Sequence, residues 1–274
     1  MTEKQEKNLN ILITGGTSGL GLELVRLFLQ EGYNVVATGR QRIILPGFEE
    51  RFTLYNVDFA DLKQVAAVAN QICNNHSFSF IVNNAGILSP PEYTQTIDGL
   101  EYTFQINFLA HLLINNIILN GIDDERQARI VSVTSPVYRF AAHGTGLRTG
   151  SDDYRPMRSY SASKLYAAMM CEFLCSRHED QNLQCFSFDP GTFSSGIYRM
   201  QKGWFKVMYR IAAPFMRSPR RVARALKELM QDDNILNGMV YDSLKRRSSL
   251  PKMDKNITDA IINYCYELID PFLN

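Results

Sequence analysis

Tyr160 and Lys164 stand four residues apart in the run Tyr160-Ser161-Ala162-Ser163-Lys164. On a helix that spacing brings a phenol and an ammonium to one face. A positive charge beside a phenol draws its pKa down from an unperturbed value near ~10, which makes the hydroxyl a usable proton donor or acceptor. With 13 tyrosines in the chain, the pair gains weight only from its surroundings. A second chemical feature is Thr14-Gly15-Gly16-Thr17-Ser18-Gly19-Leu20-Gly21, between an apolar β-branched run and a helix-period segment. In that context backbone N–H groups and the positive helix end can hold a pyrophosphate. Glycines there permit the tight turn and the close approach of phosphates.

The elements that must position these groups alternate along the chain. Strands are expected at 10–14, 33–38, 52–57, 78–82, 128–134, 184–188 and 238–241, with helices at 20–30, 61–73, 97–119, 160–176, 223–230 and 254–269. This succession of βαβ units, with no linker between them, predicts a parallel sheet covered by helices on both faces. Residues 136–159 form a long irregular connection, which marks a functional or mobile segment. No repeat or charge block interrupts the pattern.

Thr14 to Gly21 fits TGxxxGxG, Asn83-Asn84-Ala85-Gly86 fits NNAG, and Tyr160 to Lys164 fits YxxxK, in that order and each in the expected context. The chain thereby resembles the short-chain dehydrogenase/reductase family, and the run Asp98 to His111 with Ala142-His143 resembles its retinol-dehydrogenase-like branch. The resemblance implies a single doubly wound α/β Rossmann domain over residues 1–274, with a mostly parallel seven-stranded sheet. It implies catalysis by Tyr160 as proton donor or acceptor, Lys164 as the charge that lowers its pKa, Ser135 as a hydrogen-bond donor to the substrate oxygen, and Asn107 in the proton relay. Ser132 and Thr134 are rivals of Ser135, and His111 reads as a packed helix residue. The cofactor would be held by Gly15, Thr17, Ser18, Gly19, Leu20 and Gly21, by Asp58 and Phe59 at the adenine, by Asn84, Ala85 and Gly86, and by Tyr160 and Lys164 at the nicotinamide ribose. Asp58 alone would more often be a helix N-cap. Pro190, Gly191, Thr192 and Ser195 would grip the carboxamide, with Ser194 a further hydroxyl candidate.

The family carries an acid at the end of strand 2 when the adenosine ribose has a free 2′-hydroxyl. Here that place holds Gly39 followed by Arg40, with Arg42 close by. A guanidinium suits a 2′-phosphate, so NADP(H) is favoured over NAD(H). The plain alternative is a solvated loop charge.

The segment at about 193–217 takes the place of the family's substrate loop, and its aromatic and Met content suggests an apolar lid. Phe193 and Trp204, with His143, are the expected pocket residues. The alternatives are ordinary burial in a helix pair, or a membrane-surface role for 204–216. A hydrophobic ketone, aldehyde or alcohol (steroid, retinoid, terpenoid or polyketide-like) is the expected substrate, and carbonyl reduction the expected direction. The rival reading is a nucleotide-binding sensor or scaffold of the same fold without chemistry.

Composition sets the outer bounds. The 274 residues are 45% hydrophobic and 21% charged, with a formal net charge of +1, which gives no field for nucleic acid or anionic lipid. Five cysteines, none in a CxxC pair, read as free thiols of a reducing cytosol. No stretch approaches the ~20 apolar residues of a membrane span. No metal is implied, and the assembly is expected to be a monomer or a homodimer. A terminal helix is expected at about 254–270.

Overall fold

In the computed structural model, residues 9–121, 128–141, 151–178, 183–191 and 217–273 are described. Eight strands form one sheet in the order β3-β2-β1-β4-β5-β6-β7-β8. They are β1 Asn10–Ile13, β2 Asn34–Gly39, β3 Phe52–Asn56, β4 Phe80–Asn83, β5 Ala128–Val133, β6 Leu183–Asp189, β7 Val240–Asp242 and β8 Arg247–Ser248. The first seven are parallel, and β8 returns antiparallel to β7.

The eighth strand departs from the seven expected. Two residues are too short to show an alternation, and the turn before β8 contains no Asn-Gly or Asp-Gly signal. Instead Asp242 organises it: Oδ1 accepts from Leu244 N (2.8 Å) and Arg246 N (3.0 Å), while Lys245 takes φ 59°.

Period-2 alternation divides the strand residues between two apolar layers. Ile11, Ile13, Val35, Val131, Val133, Phe186 and Phe188 face a layer shared with α1 (Gly19–Gln30) and α7 (Pro219–Met230). Leu12, Val36, Ile81, Ile130 and Cys185 face a layer shared with α2 (Leu62–Asn75), α4 (Ala110–Asn120), α5 (Pro156–Ala168), α6 (Met170–Cys175) and α8 (Lys255–Ile269). All six residues of β5 are buried, as expected for a strand covered on both faces. Each fully buried Leu, Ile or Phe contributes ~1.5–3 kcal/mol.

Helix boundaries differ from the sequence expectation at two places that matter for the site. The helix expected at 97–119 begins with α3 (Tyr102–Phe104), passes through a π turn at Gln105–Leu109, and continues as α4. Thr96–Gly99 is a turn, closed by Gly99 N to Thr96 O at 3.0 Å, and Gly99 takes φ 75°. Glu101 caps the start by accepting from Thr103 N (3.1 Å) and Phe104 N (2.7 Å). The helix expected at 160–176 begins earlier, with Pro156 in its first turn, and breaks at Met169 into α5 and α6. Proline suits a first helical turn because its missing N–H has no partner there in any case.

In this strand order the direction of winding reverses between β1 and β4. Ligands of open α/β sheets bind in the crevice outside the carboxyl ends of the strands at such a point. The loops after β1 and β4 are Thr14–Ser18 and Asn84–Gly86, the two glycine-bearing motifs.

Candidate active site

The loop after β1 is shaped by contacts that leave no room for side chains. Gly16 N donates to Thr38 O (2.9 Å), tying the loop to β2. Gly15 takes φ 66°, and a Cβ there would lie 2.9 Å from Ala85 Cα. At Gly21 a Cβ would lie 2.3 Å from Gly15 O and 2.6 Å from Asn84 Nδ2. Asn84 is the staple of this arrangement: its Nδ2 donates to Thr14 O (2.9 Å) and Gly15 O (3.4 Å), and its backbone N–H donates to Thr14 Oγ1 (2.9 Å). Ser18 makes no side-chain cap to α1, and no acid stands in the first turn of that helix. The positive helix end and its N–H groups therefore meet no competing carboxylate in that turn, and the cradle fits a dinucleotide pyrophosphate.

The far end of the cradle carries the groups that would read the ribose. A Cβ at Gly39 would lie 2.4 Å from Thr17 Cγ2 and 2.7 Å from Thr17 Oγ1, so Thr17 occupies the space that a side chain at 39 would need. Arg40 and Arg42 are exposed and, among the described residues, form no ion pair. Asp58 is half-buried and its Oδ1 accepts from Ala60 N (3.1 Å). The helix cap that Asp58 could have supplied comes instead from Asp61, which accepts from Gln64 N (3.0 Å) at the start of α2. The Phe59 ring is buried against His111, with centroids 5.1 Å apart, so only its backbone can face a cofactor.

The proton-transfer candidates sit on α5. Tyr160 is 8% exposed and Lys164 is 4% exposed. Lys164 Nζ donates to Val133 O (3.1 Å) at the end of β5, and burial pulls the ammonium down to about 8. Asn107 lies at the centre of the π turn, a device that recurs at functional sites. Its Oδ1 accepts from Ile87 N (2.7 Å), and its Nδ2 donates to Ile87 O (3.0 Å) and Ser163 Oγ (3.0 Å). A Cβ at Gly86 would lie 3.1 Å from Asn107 Oδ1 and 3.4 Å from Lys164 Nζ, so NNAG, Asn107 and Lys164 converge.

Of the three hydroxyls near the end of β5, two are committed elsewhere. Ser132 Oγ accepts from Asn83 Nδ2 (3.2 Å), and Thr134 Oγ1 donates to Lys164 O (2.7 Å). Ser135, half-buried past the strand end, makes no side-chain cap to the 3-10 turn Pro136–Phe140 that follows it. Pro190 and Gly191 lie at the end of β6, where Gly191 takes φ 67° and its N–H donates to Asp189 Oδ1 (2.8 Å). Burial pushes the Asp189 carboxyl up. His143, Thr192, Phe193, Ser194, Ser195 and Trp204 lie outside the described residues.

Two participants escape the sequence reading of the site. Thr14 accepts from both Asn84 N and Ala85 N, and Ser163 links Asn107 to the turn of Tyr160 by donating to Tyr160 O (2.8 Å). Both stand inside motifs already singled out, so their signal is position rather than residue type.

Comparison with known proteins agrees with this fold. The family model for short chain dehydrogenase matches residues 9–204. Among curated proteins, WW domain-containing oxidoreductase of Drosophila melanogaster is 26% identical over 77% of this chain, which spans little more than half (56%) of that relative. Retinol dehydrogenase 14 of Mus musculus is 25% identical over 90% of this chain and 81% of its own length. Among solved structures, a short chain dehydrogenase from Burkholderia cenocepacia in complex with NADP superposes with TM-score 0.63 at 18% identity, covering 98% of this chain and 99% of that one. A 4-hydroxyisoleucine dehydrogenase complexed with NADH superposes with TM-score 0.65 at 18% identity, covering 86% and 96%. These likenesses are of fold.

Proposed function

This chain belongs to the short-chain dehydrogenase/reductase family, and from that premise we propose that it is an NADP(H)-dependent oxidoreductase that interconverts a hydrophobic ketone or aldehyde and its alcohol, acting as a carbonyl reductase. When bound, the nicotinamide supplies or takes up the hydride. In reduction the carbonyl oxygen receives the Tyr160 hydroxyl proton as its carbon gains that hydride. Lys164 stabilises the phenolate left behind, and Ser135 Oγ donates a hydrogen bond to the oxygen as negative charge develops. In oxidation Tyr160 takes the proton.

The single observation that carries the reading is the buried Lys164 ammonium, four residues from Tyr160 and beside Gly86 of the Asn84–Gly86 loop. A buried cation is costly and is retained where its charge is used. The preference for NADP(H) is supported by Gly39, whose side-chain space Thr17 fills, and by the exposed Arg40. An apolar substrate is supported by Met157, 59% exposed and on the helix face of Tyr160, and by Phe140, 82% exposed on the turn after Ser135. The name of the relative retinol dehydrogenase 14 points the same way. Among the described residues no helix is long and apolar enough to cross a membrane. All five cysteines are free, which supports a reducing compartment, and we place the activity in the cytosol, where NADPH favours reduction.

Titration of the protein with NADPH and NADH, followed by nicotinamide fluorescence, tests the reading. NADPH is expected to bind about tenfold or more tightly than NADH, a difference of ~1.4 kcal/mol. Arg40→Ala is expected to remove that difference and to leave NADH affinity within about twofold. Equal or weaker NADPH binding in the unmodified protein would withdraw the cofactor assignment.

A further inference from the structure

The hydroxyl of Thr14 is over-subscribed in a way that orients a buried imidazole. Its oxygen accepts from Asn84 N (2.9 Å) and Ala85 N (3.0 Å), which uses both lone pairs. Its single proton must therefore be donated. Two acceptors are in reach, Val82 O at 3.3 Å and His111 Nε2 at 2.8 Å, and the shorter contact is to the imidazole. A ring nitrogen that accepts carries no proton, so the neutral ring holds its proton on Nδ1. That nitrogen faces Asn107 O at 3.3 Å, inside the π turn.

The surroundings keep the ring neutral. His111 is 1% exposed, Phe59 packs edge-on against it, and burial together with the Lys164 charge holds its pKa down to about 3. One polar chain thus runs from the phosphate loop to the proton-transfer helix. Thr14 O–H donates to His111 Nε2, His111 Nδ1–H donates to Asn107 O, and Asn107 Nδ2 donates to Ser163 Oγ, beside Lys164. An apolar side chain in the same space would make neither contact and would leave the Thr14 and Asn107 groups unjoined.

We propose that His111 is a positioning residue: as the Nδ1–H tautomer it joins the phosphate-loop hydroxyl of Thr14 to the main-chain carbonyl of Asn107, so that one imidazole sets the cofactor cradle relative to the Lys164 turn of α5. The inference rests on the oxidoreductase reading above. It makes cradle and lysine a coupled unit rather than two independent sites.

Two measurements test it. Long-range 1H–15N spectra of the full-length protein at neutral pH are expected to show an Nδ1-protonated neutral histidine whose signals vanish in His111→Gln. An Nε2-protonated or doubly protonated His111 overturns the proposal. Nucleotide titration and turnover then separate positioning from packing. His111→Leu is expected to weaken NADPH binding and lower kcat, each by about tenfold or more, while His111→Gln, whose amide can still accept from Thr14 and donate, returns both to within about threefold of wild type. His111→Leu within about twofold of wild type in both quantities, or a loss that glutamine does not repair, overturns the role. An unmodified protein that binds neither NADPH nor NADH overturns the oxidoreductase reading and the positioning role with it. The wrong tautomer with normal nucleotide binding overturns only the role of His111.

Discussion

At the scale of single residues, the site pairs a proton donor with a charge that the fold tolerates at a cost. Tyr160→Phe removes the hydroxyl that carries the proton and keeps the ring, so turnover is expected to fall by ~10²–10⁴-fold with NADPH affinity within a few-fold, read by NADPH oxidation with a hydrophobic aldehyde or ketone. Retained turnover would assign the proton to another group. Lys164 makes a sharper case because its effects on activity and stability have opposite signs. Its ammonium is held at about 8, below its ordinary 10.5, by burial. The unfolded chain therefore binds the proton more tightly, and the penalty on folding is complete below about pH 8 and disappears as pH rises towards 10.5. At ~1.4 kcal/mol per unit the penalty is ~3 kcal/mol, reduced by the ~1 kcal/mol of the hydrogen bond to Val133 O. Lys164→Met is thus expected to stabilise the nucleotide-free protein by ~2 kcal/mol at pH 7 while abolishing turnover, with the gain fading above pH 8. Urea unfolding at pH 7 and pH 10 measures it, and an equal gain at both would refute the electrostatic cause. Tyr160, Lys164 and Gly39 are legible in the sequence because a motif fixes their place. Thr17 in the space of a residue-39 side chain, and His111 between Thr14 and Asn107, are not, since each contact joins residues that only the folded loop and sheet bring together.

At the scale of elements, legibility depends on whether periodicity leaves a trace. The strands and α1 are readable because β2 is a β-branched run and α1 has an apolar stripe at Leu20, Leu24, Val25, Phe28 and Leu29. The π turn at Gln105–Leu109 is silent because every residue from Ala110 to Leu119 is buried. An extra residue in a helix buried all round shifts no apolar face into view. The terminal helix shows the opposite difficulty, two competing stripes. The sequence points to Ile257, Ile261, Tyr264 and Leu268, whereas the buried positions of α8 are Ile261, Cys265 and Ile269, with Ile257 41% exposed. The Tyr266 hydroxyl, donating to Phe173 O at 2.6 Å, helps to settle the rotation. The junction of loop and α1 carries the element-scale prediction. Gly21→Ala places a methyl 2.3 Å from Gly15 O, a backbone atom that cannot move without dragging Asn84 away from the loop. NADPH affinity is expected to fall by more than about tenfold. Gly47→Ala, at a φ 84° glycine with open space around it, provides the control, with a modest stability cost of ~1 kcal/mol and unchanged affinity.

At the scale of the whole molecule, cofactor and fold are thermodynamically one system, because the cradle is assembled from parts distant in the chain. Thr14 follows β1, Thr38 belongs to β2, Asn84 follows β4 and Asn107 lies in the π turn, and hydrogen bonds join them. Strand alternation in the sequence implies that such loops gather at one edge of a parallel sheet. It does not say that β1 and β4 are neighbours, which is a matter of long-range pairing. A ligand that binds only the assembled cradle must stabilise the fold by RT ln(1 + [L]/Kd), or ~2.7 kcal/mol at a hundredfold excess over Kd. For a chain of 274 residues this is expected to raise the unfolding midpoint by several degrees. The same concentration of NADH, at about tenfold weaker affinity, should stabilise by ~1.4 kcal/mol less. The two nucleotides differ only in the 2′-phosphate, so the gap in midpoint reports that phosphate and its partner at Arg40. Arg40→Ala should close the gap by lowering the NADPH curve onto the NADH curve, without raising the latter. If Arg40→Ala leaves the gap open, another group reads the phosphate. If neither nucleotide shifts the midpoint, the cradle does not bind them and the family fold here serves a purpose other than hydride transfer.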